Sequence, residues 1–576
     1  MSKVQTIRRQ SKTSRFKVLL IVAYPLLVFL LGIEGFREYY AWHKVELGLA
    51  DLVYKSFNLF IVQFNIDHGP LPLSLEWARF LALIAFGYAL IKALLSLLGN
   101  SLQRMRIQWQ QGHAIVCSLS ADNLDVILDL RANGVKVVVI EADANSPQAG
   151  RAVAAGALLL VGNPADEENL LRANLKQAKY LLAMTPRDHD NIEIAYFSFD
   201  QRQQNSVLPP LQMVMHLEDS ELMSVLSERP AFQKEHLRFR GRIVNRDRLN
   251  VRGLLNEFGP DRYLDTATLS SDNLAFVIVG GSQGVHELVL RLAAIGHYGQ
   301  SGRMRILLMS EKAPELIDDL LKQRPALTQL IALSAEASSL SVFNLTQSRQ
   351  TLEAFGAQMV YVCHDSSEKA MMSLQALEGL DLACPVVISD SESDKANRQL
   401  QQEYQNSEYF HFTKLHQNFN RFQCVLYAHE DQQAKAIHEN YRQTQLQNGD
   451  TLASNSSLVA WHVLPETLKE ANRNQADHQA IKCRLLTGKA DCTVAEFSQA
   501  LDDVQIERLA MIEHQRWCAN KYLDGWAYTS DKKDSRLRLS PSLIEWEALT
   551  DSERQKDRDA IANLPELIRM SEQNPC

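Results

Sequence analysis

The chain has 576 residues, 46% of them hydrophobic and 22% charged, with a formal net charge of −8, which is too long for one core and suits three or four modules. Its mild acidity argues against a nucleic-acid binder, which normally carries a basic face. Eight cysteines, at positions 117, 363, 384, 424, 483, 492, 518 and 576, include no C-x-x-C pair; this supports neither a zinc site nor a disulfide framework and fits incidental thiols in a reducing compartment.

Residues 1–17 form a basic N-terminus containing Lys3, Arg8, Arg9, Lys12, Arg15 and Lys17 and no acid. Residues 18–36 (VLLIVAYPLLVFLLGIEGF) and 80–98 (FLALIAFGYALIKALLSLL) are each about long enough to span a bilayer as a helix. Basic residues before the first run, and Arg104 and Arg106 after the second, predict that both termini lie in the cytoplasm of a bacterial-type inner membrane. No small-x-small cleavage site follows the first run, so a removed signal peptide is not expected. The outer segment, residues 37–79, is too apolar for a solvated loop and reads as a re-entrant or an interfacial amphipathic helix. Two spans around such a helix are the minimal plan of a tetrameric cation channel. The filter position reads Asn65-Ile66-Asp67-His68-Gly69, without the glycines of a potassium filter. Asn65, Asp67 and His68 are the pore candidates, with Asp67 as a cation-attracting ring.

From His113 to Asp143 the pattern is strand (Ala114–Cys117), turn, helix, a stop at Gly134, then a strand ending at Glu141: a βαβ unit of dinucleotide-binding length. Ser118, Ser120 and Asn123 occupy the three positions of the glycine fingerprint, and Glu141 stands where an acid would hold ribose hydroxyls. Strands at 157–161, before Gly162-Asn163, and at 180–185 extend the sheet. The unit recurs at 275–311 with an offset of 162, which superposes Ser118 on Gly280 and Gly134 on Gly296. This second turn keeps Gly280, Gly281 and Gly284, and its second strand ends at Ser310-Glu311. Further strands at 359–363 and 385–389 complete a doubly wound sheet. The expected fold class is thus two transmembrane α-helices, then α/β doubly wound (Rossmann-like) tandem domains at 111–265 and 272–420, then a mainly α-helical module at 430–570. For each turn the competing reading is a degenerate Rossmann fold used only for packing or dimerisation.

Two membrane runs, a basic connector and HAIVCSLS…VKVVVIEAD…LVGNPADEENLLRANLKQAKYLLAMT resemble a two-transmembrane protein with regulator-of-potassium-conductance domains of the TrkA-N type. The resemblance implies a cytoplasmic Rossmann domain that binds NAD(H) or another adenine nucleotide and gates an attached pore. It places Ser118, Ser120 and Asn123 at the phosphate turn, Glu141 at the ribose, and Gly162-Asn163 where the family usually has Gly-Asp.

Around the low-hydrophobicity stretch 440–457, three islands at 436–441, 470–478 and 512–568 resemble the ryanodine-receptor repeat (RyR domain). Bacterial RyR-type domains occur beside nucleotide-signalling and phage-defence systems, which implies a ligand sensor. The helix 505–522 carries Glu513 on the same face as Ile506, Leu509, Ala510 and Trp517; a carboxylate there must be paired or must face a site. Arg516, Arg473 and Arg558 are its candidate partners. Trp517, Trp526, Tyr528 and Trp546, with Arg536, Arg538, Asn472, Asp477 and His478, are candidates for an aromatic and basic nucleotide pocket, against the plainer reading of core aromatics.

The leading expectation is a ligand-gated, cation-channel-like membrane protein whose cytoplasmic domains sense a nucleotide-derived ligand; the alternative is a membrane-anchored sensor or scaffold without a pore. The expected partners are the lipid bilayer, a nucleotide-type small molecule and further copies of the chain as a dimer or tetramer; no nucleic acid and no metal are expected. No nucleophile motif or metal-ligand spacing marks an enzyme, and His113, His189, His286 and His364 stand alone.

Overall fold

The structure is a computed structural model that describes residues 23–64, 66, 69–204, 208–233, 238–364, 366–390, 399, 402–414, 431–489, 492–566 and 569. The chain divides into two compact units, Met1–Arg106 and Ile107–Cys576.

The first unit is a helical hairpin with a short helix between its arms. Helix α1 covers 23–42, α2 is Leu49–Phe60 and α3 is Leu73–Gln108. Glycines set the approach of α1 to its neighbours: a Cβ on Gly32 would lie 3.1 Å from Leu59, and one on Gly35 would lie 2.6 Å from the Leu75 amide. The Tyr24 hydroxyl donates to the Leu81 carbonyl at 2.9 Å. Val28, Phe36, Leu52, Leu59, Leu75 and Ala82 fill the small core. Within α3, Leu73–Lys92 is long and apolar enough to cross a membrane, and only 17% of it is buried. Trp77, Phe80, Leu83, Ile84 and Ile91 remain exposed, so this helix is not hidden as a core helix would be.

Two spans were expected, and among the described residues one helix passes this test. Its apolar stretch begins at Leu73 rather than Phe80, because the helix starts directly after Pro72 and Leu73, Leu75 and Trp77 extend the run. The first expected span begins at Val18, and residues 18–22 lie outside the described residues. The pore candidates Asn65, Asp67 and His68 also lie outside them. The apolar outer segment does form a helix, α2, which turns Leu52, Ser56 and Leu59 inward.

In the second unit the first six strands are β1 (Ala114–Cys117), β2 (Val137–Glu141), β3 (Leu158–Val161), β4 (Tyr180–Ala183), β5 (Leu211–His216) and β6 (Phe239–Val244). They form one sheet in the order β3-β2-β1-β4-β5-β6, with every neighbouring pair parallel. The next six are β7 (Ala275–Val279), β8 (Met304–Met309), β9 (Ile331–Glu336), β10 (Met359–Cys363), β11 (Val386–Asp390) and β12 (Phe410–Lys414). Their order, β9-β8-β7-β10-β11-β12, repeats the first topology, again parallel throughout. Strands covered on both faces read as continuous apolar runs, and β1, β4, β7 and β10 are buried at every position. This is the doubly wound Rossmann order, whose switch points lie beyond the carboxyl ends of β1 and β7.

The C-terminal part is mainly helical: α7 is Gln432–Gln447, α8 is Glu466–Thr487, α9 is Asp503–Leu523 and α10 is Asp551–Ala562. Residues 440–447 of the low-hydrophobicity stretch belong to α7 rather than to a loop. One hydrophobic core runs from the second sheet into this module, joining Phe276, Leu288 and Leu292 to Ile481, Phe497, Leu509 and Ile512. The expectation of unpaired thiols is corrected at one place: Cys483 and Cys492 are disulfide-bonded, with Cα atoms 6.1 Å apart. The two lie nine positions apart in the sequence, so no C-x-x-C count reveals the pair.

Candidate functional site

The first phosphate-type turn follows β1. Ser118 has a φ of +76°, a left-handed conformation usually left to glycine. Ser120 caps α4 (Ala121–Ala132) by accepting the Asn123 amide. Asn123 is fully buried and its side-chain amide donates to the Ser118 carbonyl at 3.2 Å and the Met184 carbonyl at 3.0 Å. Glu141 folds back on the same turn: its carboxylate accepts the Leu119 amide at 2.7 Å and the Asp143 amide at 3.0 Å. The residues standing in for the glycines therefore tie the turn to itself. Gly162 and Asn163 form a second closed turn. A Cβ on Gly162 would lie 2.5 Å from the Asn169 side chain, and Asn169 donates to the Asn163 carbonyl.

The second turn, after β7, is built differently. Gly280 has a φ of +127°, and a Cβ there would lie 1.9 Å from the Cys363 carbonyl oxygen, so only glycine fits. Gly281 is exposed, Ser282 precedes helix α6 (Gln283–Ile295), and Gly284 lies buried in the first turn of α6. Among the described residues, the Ser282 hydroxyl is buried without a hydrogen-bond partner beside the N-terminus of a helix of thirteen residues, where backbone N–H groups and the helix dipole favour an anion. Glu311 stands two residues past β8 and accepts the Ser339 hydroxyl at 3.1 Å.

The predicted residues of the C-terminal module separate into three groups. Asp477, Arg473, His478, Glu513 and Arg516 are interior. Arg252, on helix α5 (Arg246–Phe258), grips Asp477 with two bonds of 2.7 and 2.8 Å and reaches Asp431 at 3.1 Å. Arg473 holds Asp431 from the other side with two bonds of 2.9 Å, and Arg291 of α6 pairs with Glu470 at 2.9 Å and also with Asp477. Burial opposes charge on Asp431, but the Arg473 and Arg252 guanidinium groups outweigh it and hold its carboxyl well below the usual range. Glu513 behaves alike: burial raises it, and Arg516 with Lys482 brings it well down. Of the partners expected for Glu513, Arg516 is present at 2.6 and 3.0 Å. Lys482 is the second, reaching across from α8. Arg558 pairs instead with Glu507 and Asp551. His478 is fully buried, with Nε2 2.9 Å from the His297 carbonyl.

Asn472 donates back to the Leu468 carbonyl along α8, and the Arg536 side chain is exposed. Trp526 lies under Lys521 at 4.4 Å and Lys533 at 5.6 Å, with Arg538 close by, donating to the Asp524 carbonyl at 2.5 Å. Trp517 stacks beside His514 at 5.9 Å. Tyr528 and Trp546 line a cavity of about 710 Å³ between the second α/β domain and the C-terminal module. Its opposite wall is the segment between α6 and β8, including Gly299, Gln300 and Arg303. That wall carried no signal in the sequence, because it becomes part of a site only through juxtaposition with α9. The volume suits a small organic molecule. Among the described residues, no group of three or more His, Cys, Asp or Glu side chains is arranged to hold a metal ion.

Residues 114–225 match the family model of the TrkA-N domain, and residues 488–572 match that of the RyR domain. The chain therefore carries a TrkA-N domain on its first sheet and a RyR domain in its C-terminal module. Similar solved structures include GsuK bound to ADP, 14% identical with a TM-score of 0.34, covering 69% of this chain and 94% of that chain. The GsuK channel bound to NAD is 12% identical, TM-score 0.31, covering 69% and 85%; the GsuK RCK domain is 10% identical, TM-score 0.37, covering 55% and 77%. At these scores nothing further rests on them. No curated protein matches the chain.

Proposed function

We propose that this protein is a membrane-anchored nucleotide sensor built like a ligand-gated cation channel, with its α/β pair and RyR module in the cytoplasm. The observation that carries the reading is the TrkA-N match on a Rossmann-order sheet that follows an apolar, outward-exposed helix after only five residues, 109–113. TrkA-N domains are nucleotide-binding modules, and an adenine nucleotide such as NAD(H) is the ligand class proposed. The second turn is the better receptor for its phosphates. Gly281 is exposed there, and among the described residues the buried Ser282 hydroxyl lacks a partner. In the first turn Asn123 and Glu141 already satisfy the carbonyls and amides. Glu311 would then meet the ribose. Signalling requires the nucleotide to bind two states of the module with different affinity.

A sensor without a pore is the second reading, favoured by Asn65-Ile66-Asp67-His68-Gly69 in place of a glycine-bearing filter. Purified protein in liposomes separates the two. Cation flux that changes on adding a nucleotide that binds supports the channel, whereas binding without flux at any cation gradient leaves the anchored sensor.

A further inference from the structure

The cavity between the second α/β domain and the RyR module contains a thiol that none of the above uses. Cys518 and His514 are four residues apart on α9 and so share one helical face; both line the cavity. The Cys518 sulfur lies 3.4 Å from His514 Nε2. That same Nε2 is 2.8 Å from the Ile544 carbonyl, and Nδ1 is 3.4 Å from an Asp557 carboxylate oxygen on α10. Both ring nitrogens lie beside oxygens, an arrangement that favours the doubly protonated imidazolium. Burial would strip that charge, but the contacts with Asp557 and Cys518 outweigh it and hold His514 up at about 10. Burial also pushes the Asp557 carboxyl up; with two acceptors on the ring, the pair is still best described as imidazolium and carboxylate. A charged histidine ring in contact with a thiol is the kind of neighbour that activates sulfur nucleophiles.

We propose that Cys518 is a covalent modification site for electrophiles of the α,β-unsaturated carbonyl class that enter this cavity. Sulfur forms a bond to the β-carbon, the C=C π pair moves through the α-carbon onto the carbonyl oxygen, and the resulting enolate takes up one proton. The thiol gives up one proton in the same addition, so no oxidant, reductant or leaving group is needed. The His514 charge beside the sulfur stabilises the thiolate from which the attack proceeds, before its charge passes to the enolate oxygen. Cys117, Cys363 and Cys384 are buried; burial pushes the last two up to about 11 and the first further still, which makes them internal controls. An adduct on Cys518 would occupy the seam between the two modules. The site is separate from the nucleotide turns, and the proposal does not depend on nucleotide binding.

The test is a time course of the full-length protein with acrylamide, read peptide by peptide by mass spectrometry. Cys518 is expected to be alkylated about tenfold faster than Cys117, Cys363 and Cys384, and to slow by about tenfold in His514→Gln and Asp557→Asn. Ala548→Trp, which adds bulk at the cavity lining, is expected to slow it as well. The buried cysteines report folding: if they label quickly in His514→Gln, that variant has opened, and the Ala548→Trp protein decides. A native Cys518 no faster than the buried thiols, a folded His514→Gln with an unchanged rate, or an unchanged rate in Ala548→Trp would each overturn the proposal.

Discussion

At Gly280 the backbone after β7 passes so close to β10 that an added Cβ would lie 1.9 Å from the Cys363 carbonyl oxygen, at a φ of +127°. Gly280→Ala therefore meets both a clash and a backbone conformation that L-residues avoid. It is expected to lower the stability of the second unit by at least about 2 kcal/mol, seen as a lower melting temperature. Histidines of the same unit set its response to pH. Burial, and then Arg246, holds His216 down to about 3; burial holds His297 down to about 4. Both are neutral when folded but bind a proton near pH 6.5 when unfolded. Their stabilisation is present above about pH 6.5 and is lost as pH falls toward 3. His514, held up at about 10, has the opposite sign: its contribution is full below about pH 6.5 and is lost as pH rises through 10. Melting temperature measured against pH should thus fall on both sides of neutrality. His514→Gln should flatten the alkaline limb alone, and an unchanged alkaline limb in that variant would refute the assignment.

Among the elements, the helices α5, α6 and α8 and the start of α7 hold a buried ionic cluster in which Arg252 of α5 and Arg291 of α6 meet Asp477, Asp431 and Glu470. Removing one member leaves a charge stranded in the interior, while replacing a pair by apolar groups removes both desolvation costs. Arg252→Met is expected to destabilise by about 3–5 kcal/mol, and Arg252→Met with Asp477→Leu to recover most of the loss. Thermal unfolding of the three proteins checks this, and additive losses would contradict it. The strands β1, β2, β7 and β10 were legible in the sequence because a strand buried on both faces must be an unbroken apolar run. The repeat with its offset of 162 was legible because both turns must reverse the chain at the same place. Glu513 was legible as a buried carboxylate needing a partner, and Arg516 stood among the three candidates for it. The grip of Arg252 on Asp477 was not, since 225 residues separate them and nothing local marks either as the other's counter-ion. For the same reason Asp477 and His478 read as pocket residues yet belong to the interior, and the Gly299–Arg303 wall of the cavity went unseen.

Taken as a whole, the molecule combines an apolar hairpin with two doubly wound sheets and a RyR module that shares a core with the second of them. A ligand bound to the second turn lies at the start of α6, whose far side packs against the RyR helices, so a change at the turn has a packed route into the module. That reading stands or falls on whether a nucleotide binds. The most direct measurement is the melting temperature of the purified full-length protein against NAD⁺, NADH, ADP-ribose, ATP and cyclic nucleotides, with Ser282→Trp as the control that blocks the second turn. A ligand at a hundredfold its dissociation constant stabilises by about 2.7 kcal/mol. At least one adenine nucleotide should therefore raise the midpoint by several degrees in the native protein and not in Ser282→Trp. No shift with any member of the panel, or an equal shift in the blocked variant, would contradict a nucleotide sensor working through that turn.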